Sequence, residues 1–442
     1  MEQFSNPNQR KNILKLDINF DEIEVMSPAG NWECLMTAIN SGADAVYFGI
    51  EGLNMRAKSS NNFTIDDLSK IVSLCEAKSV KTYLTVNTVI YDRDIELMKE
   101  IVDSAKKHSI TAIIAADQAV LAYANSIKMP VHISTQANIS NIESVKFYSM
   151  FSDVLVLARE LSLDNIYDIS KQIKEQNITG PSGKLVQIEA FVHGALCMAV
   201  SSKCYLSLHH YDKSANRGEC RQQCRKEYIV KEKGSDTELE IDNGYIMSPK
   251  DLCTIEFLDQ VIGAGIKVLK IEGRGRAPEY VKRVTETYKK AVQYIRNGEY
   301  NDTRKKELKS NLEEVFNRGF TDYYYFGRKT EEWTEKPGSK ATMKKVYIGK
   351  VSNYFSNIGV SEFVVEAQGL KVSDRILIIG ETTGTVESEV IEIRNEVMDV
   401  VNSVGKGEKF TIAIKEKVRR NDQLYKLVDS NSIKEKRYMK II

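Results

Sequence analysis

Five of the seven cysteines in this 442-residue chain crowd into one segment, at Cys197, Cys204, Cys220, Cys224 and Cys253. Their spacing is C-x6-C-x15-C-x3-C-x28-C, with no C-x2-C knuckle of the zinc-ribbon kind. Thiolates donated by separated loops suit a metal or iron–sulfur centre, whose ligands need not be close in sequence. A cluster needs four of the five. Cys197, Cys204 and Cys220 are the first three choices, with Cys253 ahead of Cys224 for the fourth. Cys224 lies one helical turn from Cys220 and could also ligate, as the alternative fourth ligand. Cys34 and Cys75 sit inside helical patterns and read as core residues.

Other residues able to do chemistry are polar or cationic. Glu272, Arg274 and His193 are the candidate catalytic groups, with His193 able to ligate, carry a proton or merely hydrogen-bond. Arg56 and Arg159, with Arg274, offer bidentate contacts to a carboxylate or phosphate. Asn87, Gln136 and Asn138 offer neutral hydrogen bonds that orient a small ligand. Lys270 and Glu272 alternate on one strand, so an internal pair between them is expected. Arg217, Arg221, Arg225 and Lys226 interleave with the cysteines. With Lys344, Lys345, Lys417, Arg419 and Arg420 they could form a phosphate-binding surface, diluted by Glu232, Asp236, Glu238 and Glu240. No H-E-x-x-H helix, G-x-S-x-G elbow, Walker A loop or G-x-G-x-x-G turn occurs, so a hydrolytic or nucleotide-binding motif is absent.

These residues need a scaffold that gathers strand ends. Short β-rich runs at 24–27, 45–48, 81–86, 112–115, 131–134, 154–158, 186–191 and 268–271 alternate with helical patterns such as 31–41, 65–77, 95–108 and 163–173. Eight strand–helix units predict an α/β fold, a (β/α)8 TIM-like barrel, over a doubly wound sheet. The polar turns after the strands then lie at the C-terminal face, where active sites are built. The expected organisation is an N-terminal extension (1–20), a barrel (21–300) with a cysteine-rich insertion (194–253) and a helical connection (301–343). A small antiparallel β-barrel domain (344–430) and a tail (431–442) follow. The last domain is read from β-branched alternation and glycine turns.

A net charge of +1 excludes no partner by itself. No apolar run approaches the ~20 residues that cross a bilayer. Residues 1–17 lack the apolar stretch of a secretory signal, so a cytoplasmic protein with reduced thiols and no membrane contact is expected.

The run Glu189-Ala190-Phe191-Val192-His193-Gly194-Ala195-Leu196-Cys197, followed by Cys204-Tyr205-Leu206-Ser207, resembles the signature of the collagenase-like peptidase family U32. Ser202 stands where that signature usually has glycine. Ser27-Pro28-Ala29-Gly30, the S-P-K-D-L run from Ser248 and Lys270-Ile271-Glu272-Gly273-Arg274 resemble further motifs of the family, over nearly the whole chain. The resemblance implies several things. Some members support prephenate-dependent formation of 5-hydroxyuridine in tRNA. Others hold a 4Fe–4S cluster on four cysteines in oxygen-independent ubiquinone hydroxylation, with a spacing like Cys197, Cys204, Cys220 and Cys253, or with Cys224 instead. The C-terminal β domain places this chain nearer the tRNA branch. The expectation is therefore a tRNA uridine hydroxylase, with a 4Fe–4S cluster and prephenate or a related carboxylate in the barrel, and the β domain docking the tRNA anticodon arm. The alternatives are a collagenase-like peptidase and a non-catalytic iron–sulfur partner of a hydroxylation system.

Overall fold

A computed structural model describes residues 19–57, 62–200, 203–229, 244–327 and 333–432. Most of the expected extension 1–20 and tail 431–442 lies outside them, as do Glu232, Asp236, Glu238 and Glu240.

Strands β1 (Glu24–Pro28), β2 (Ala45–Phe48), β3 (Lys81–Val86), β4 (Ala112–Ala115), β5 (Val131–Ile133), β6 (Val154–Val156) and β7 (Gln187–Ala195) pair in parallel, each with the next. A short β8 (Asp251–Cys253) is followed by β9 (Ile266–Ile271), which pairs in parallel with both β7 and β1. That double pairing closes an eight-stranded barrel of β1–β7 and β9, as expected. Alternate side chains explain why the strands are apolar on both faces. Met26, Tyr47, Tyr83, Ile114 and Val268 fill the interior, while Val25, Val46, Phe48, Leu84 and Ile113 face the helices.

Around the barrel run α1 (Trp32–Asn40), α2 (Leu68–Glu76), α3 (Ile95–Lys107), α4 (Gln118–Ser126), α5 (Ile142–Ser149) and α6 (Leu163–Glu175). After them come α7 (Leu206–Tyr211) in the cysteine segment, α8 (Leu258–Gly263), α9 (Pro278–Arg296) and α10 (Asp302–Glu313). Helix α3 buries Met98, Ile101, Val102 and Ala105, one stripe at helical spacing. Asn31 caps α1 by accepting from the Cys34 amide at 2.8 Å, and Pro278 opens α9, where a missing N–H costs nothing.

Beyond the barrel, β8 pairs antiparallel with the end of β7, and β10 (Phe320–Thr321) pairs with β8. The C-terminal domain is an antiparallel eight-stranded sheet of β11 (Met343–Phe355), β12 (Val360–Val365), β14 (Arg375–Gly380), β15 (Gly384–Glu389), β16 (Ile393–Asn395), β17 (Val400–Val401), β19 (Lys409–Ala413) and β20 (Gln423–Asp429). A ribbon of β13 (Leu370–Lys371) and β18 (Ser403–Val404) packs on the same core, which centres on Ile348, Phe363, Ile378 and Phe410. The sheet's pairing order leaves β15 and β17 as edges. The domain docks on α1 and α9: Thr37 and Thr385 share a hydrogen bond of 2.9 Å, and Arg283 contacts Glu387 at 2.8 Å. Among the described residues no helix is long and apolar enough to cross a membrane.

Candidate functional site

The strand ends and the cysteine segment enclose one cavity of about 250 Å³. Its floor is a buried ion network. Lys270 on β9 donates to Glu189 on β7 at 2.7 Å, and the other Glu189 oxygen meets His132 Nδ1 on β5 at 2.9 Å. Glu189 is fully buried; burial pushes its pKa up, but Lys270 and then His132 hold it at about 2. Phe191 and Tyr47 flank the ammonium, with ring centres 5.4 and 4.8 Å from Lys270 Nζ.

One layer up, Glu272 follows β9. Arg56 donates to it at 2.9 Å and the Tyr47 hydroxyl at 3.3 Å. Burial works against its ionisation, yet Arg56, Arg159 and Arg274 hold its pKa at about 2. Arg274 is 6% exposed and bonds Thr85 at 2.9 Å and Asn54 at 3.1 Å; burial lowers its pKa to about 10. Its carbonyl is pressed against Gly30: a Cβ there would lie 1.9 Å from it, so the Ser27–Gly30 turn admits no side chain at that point. Arg159 lies over the Phe191 ring at 4.2 Å, and its buried Nε has no hydrogen-bond partner.

Four thiols line the same cavity. Cys197 follows β7, Cys204 precedes α7, Cys220 follows the turn Ala215–Arg217, and Cys224 lies in the turn Gln223–Arg225. All four are unbridged and partly exposed. Burial raises the Cys204 and Cys224 thiols, with smaller contributions from the other thiols of the cavity. The segment is pinned to the barrel by Arg217 on Asp94 and by Gly218, where a Cβ would lie 2.3 Å from the Asn54 carbonyl. Soft donors from four loops fit an iron–sulfur cluster. As placed, among the described residues no three His, Cys, Asp or Glu lie close enough to hold a single metal ion.

Of the residues singled out in the sequence, Glu272, Arg274, Arg56, Asn87, Gln136, Arg159, Cys197, Cys204, Cys220 and Cys224 come together here. Of the candidate catalytic, binding and ligand residues, three do not line the cavity. Cys253 lies on β8, paired opposite His193, 7% exposed among apolar residues, where burial lifts its thiol to about 12. At the cavity Cys224, not Cys253, accompanies the other three thiols. His193 is 2% exposed among Tyr280, Tyr288 and Phe320, and burial drops its pKa to about 3, so it is neutral and faces away from the site. Asn138 ends the turn after β5 at φ 55°, a left-handed position that asparagine tolerates. Lys270 pairs with Glu189 rather than with Glu272, which Arg56 takes instead.

Within the expected basic surface, Lys345 pairs with Glu279, and no β-domain residue lines the cavity. His132, Tyr47, Arg276 and Arg318 were not singled out as site residues. A histidine inside an apolar strand was the available signal for the first; Arg318, far along the chain, had none.

The sequence model of peptidase family U32 matches residues 30–335. A collagenase of Porphyromonas gingivalis is 54% identical over 409 residues, 92% of this chain and 99% of that protein. The tRNA hydroxylation protein P1 of Bacillus subtilis is 31% identical over 75% of this chain and 77% of its own length. A 23S rRNA 5-hydroxycytidine synthase of Escherichia coli is 30% identical over 84% of this chain and 55% of its own length.

Proposed function

The chain belongs to peptidase family U32, and from that premise we propose that its cavity serves the hydroxylation of an RNA pyrimidine, in the finer form wobble uridine of tRNA to 5-hydroxyuridine. One observation carries the reading: four thiols and several fixed cations line a single cavity that, among the described residues, no histidine lines. Relatives named for tRNA hydroxylation and for rRNA hydroxycytidine synthesis agree with it.

Cys197, Cys204, Cys220 and Cys224 would hold the cluster, which when bound supplies one-electron chemistry. The other side chains bind and orient. Arg159 presents an unsatisfied donor and Arg56 a second guanidinium to a small carboxylate, prephenate or a relative. Lys270 adds positive charge from the floor, and Asn87 and Gln136 bring amides to the wall. Glu272, ionised down to about pH 2, is too weak a base to abstract a proton from carbon. Its role is to fix Arg56 and accept a hydrogen bond. The substrate is a cytoplasmic tRNA whose anticodon arm the β domain helps to dock.

The 54% identity to a protein named collagenase favours a second reading, peptide-bond hydrolysis. Against it, Glu272, with its carboxyl held at about 2, is a poor proton acceptor for a water, and His193 faces away from the cavity. Nucleoside mass spectrometry of tRNA and rRNA from a strain lacking the gene, grown with and without oxygen, separates the two. A loss of 5-hydroxypyrimidine, restored by the wild-type gene, supports hydroxylation. Unchanged nucleosides in both conditions, with collagen degraded by the pure protein, would establish the peptidase.

A further inference from the structure

Three arginines crowd the wall of the cavity beside the cysteines. Arg225 follows Cys224, Arg276 ends the turn that begins at Glu272, and Arg318 enters between α10 and β10; all three line the cavity. Asp251, 1% exposed, is the carboxylate that Arg318 and Arg276 share, 3.2 Å from the first and 3.8 Å from the second. Arg225 has only neutral partners among the described residues: the Pro249 carbonyl at 2.6 Å, Ser248 Oγ at 3.1 Å and the Leu196 carbonyl. The Phe316 ring lies 3.7 Å from the Arg276 guanidinium and 5.1 Å from that of Arg318, so stacking as well as charge sets their positions. Of the three guanidinium groups, Arg276 and Arg318 contact a carboxylate and Arg225 contacts none, so this stretch of a partly desolvated wall is cationic beside the thiols. The side chains of Arg276 and Arg318 keep 15% and 14% of their surface open.

Resting on the RNA reading above, we propose that this wall is a seat for one backbone phosphate of the bound RNA, next to the nucleotide that enters the cavity. Planar guanidinium forks match phosphate oxygens in pairs. The cysteine segment adds a feature that a small free anion would not require. Tyr205, directly after Cys204, is 79% exposed, and Met198 and Tyr211 are 45% and 46% exposed. Exposed tyrosines and a methionine on the segment that carries the cavity's thiols suit stacking against bases whose phosphates the arginines hold.

The test is the affinity of the full chain for a labelled, unmodified anticodon stem–loop RNA, read by fluorescence anisotropy over a range of salt. Arg318→Gln and Arg276→Gln are expected to bind about tenfold more weakly, with the slope of log Kd against log salt reduced by about one. Arg318→Lys should keep the slope and lose part of the affinity, because the charge stays and the fork is gone. Gln variants that melt like wild type and bind with its affinity and slope would overturn the seat alone. Should they fail to fold, Lys variants at 276 and 318 decide, and wild-type affinity in both overturns it. Loss of a co-purifying protein with RNA affinity unchanged assigns the wall to a protein contact and also overturns it. A wild-type chain that binds no RNA at low salt removes the seat together with the RNA reading.

Discussion

Lys270→Met tests whether the cavity floor is held by charge. Glu189 has 0% and Lys270 6% side-chain exposure, and the pair is 2.7 Å apart. The Glu189 carboxyl stands at about 2 against an ordinary 4.5, a depression equivalent to about 3 kcal/mol. Removing the lysine leaves a buried carboxylate with His132 as its remaining partner, a kind of loss that costs about 3–5 kcal/mol. The sign follows from the depressed carboxyl: its stabilisation is present above pH 4.5 and lost as pH falls towards 2. In Lys270→Met the carboxyl titrates at higher pH, so the gap between variant and wild type should narrow from pH 7 to pH 4. Adding Glu189→Gln removes the stranded charge and should recover most of the loss. Urea unfolding followed by tryptophan fluorescence is the assay. Both tryptophans, Trp32 and Trp333, lie outside the β sheet domain, so the signal follows the barrel. A midpoint shift equivalent to less than about 1 kcal/mol, independent of pH, would refute the argument.

Three further outcomes are expected. Cys224→Ser purified without oxygen should lose most of its iron and sulfide, whereas Cys253→Ser should keep them; the reverse ranking would restore Cys253 as the ligand. Arg159→Gln should weaken binding of a small dicarboxylate by about tenfold in calorimetry, the loss typical of one charge-assisted hydrogen bond, without moving the melting temperature by more than a degree or two. Gly30→Ala should leave little soluble protein, because its methyl group meets the Arg274 carbonyl at 1.9 Å; a soluble Gly30→Ala with wild-type melting would show that the turn can yield.

The barrel was legible because its strands are short β-rich runs, largely buried on both faces and separated by amphipathic helices. Strands β8 and β10 were not, being three and two residues long, with β8 paired to the end of β7 and β10 to β8. The cavity's arginines and amides could be read from their positions just after strands. Their partners could not, since Lys270 meets a glutamate 81 residues away instead of the neighbour two positions along. The choice between Cys224 and Cys253 turned on the antiparallel pairing of β8, which cysteine spacing does not encode. His193 faces outward because the pairing of β7 with β9 shifts between Phe191 and His193, so simple alternation fails there.

The most direct measurement is nucleoside mass spectrometry of RNA from the deletion strain carrying either Cys224→Ser or Cys253→Ser in place of the wild-type gene. The account predicts that 5-hydroxypyrimidine returns with Cys253→Ser and stays absent with Cys224→Ser, at equal protein levels. Full restoration by Cys224→Ser would contradict it, because Cys224 would then not be needed as the fourth ligand.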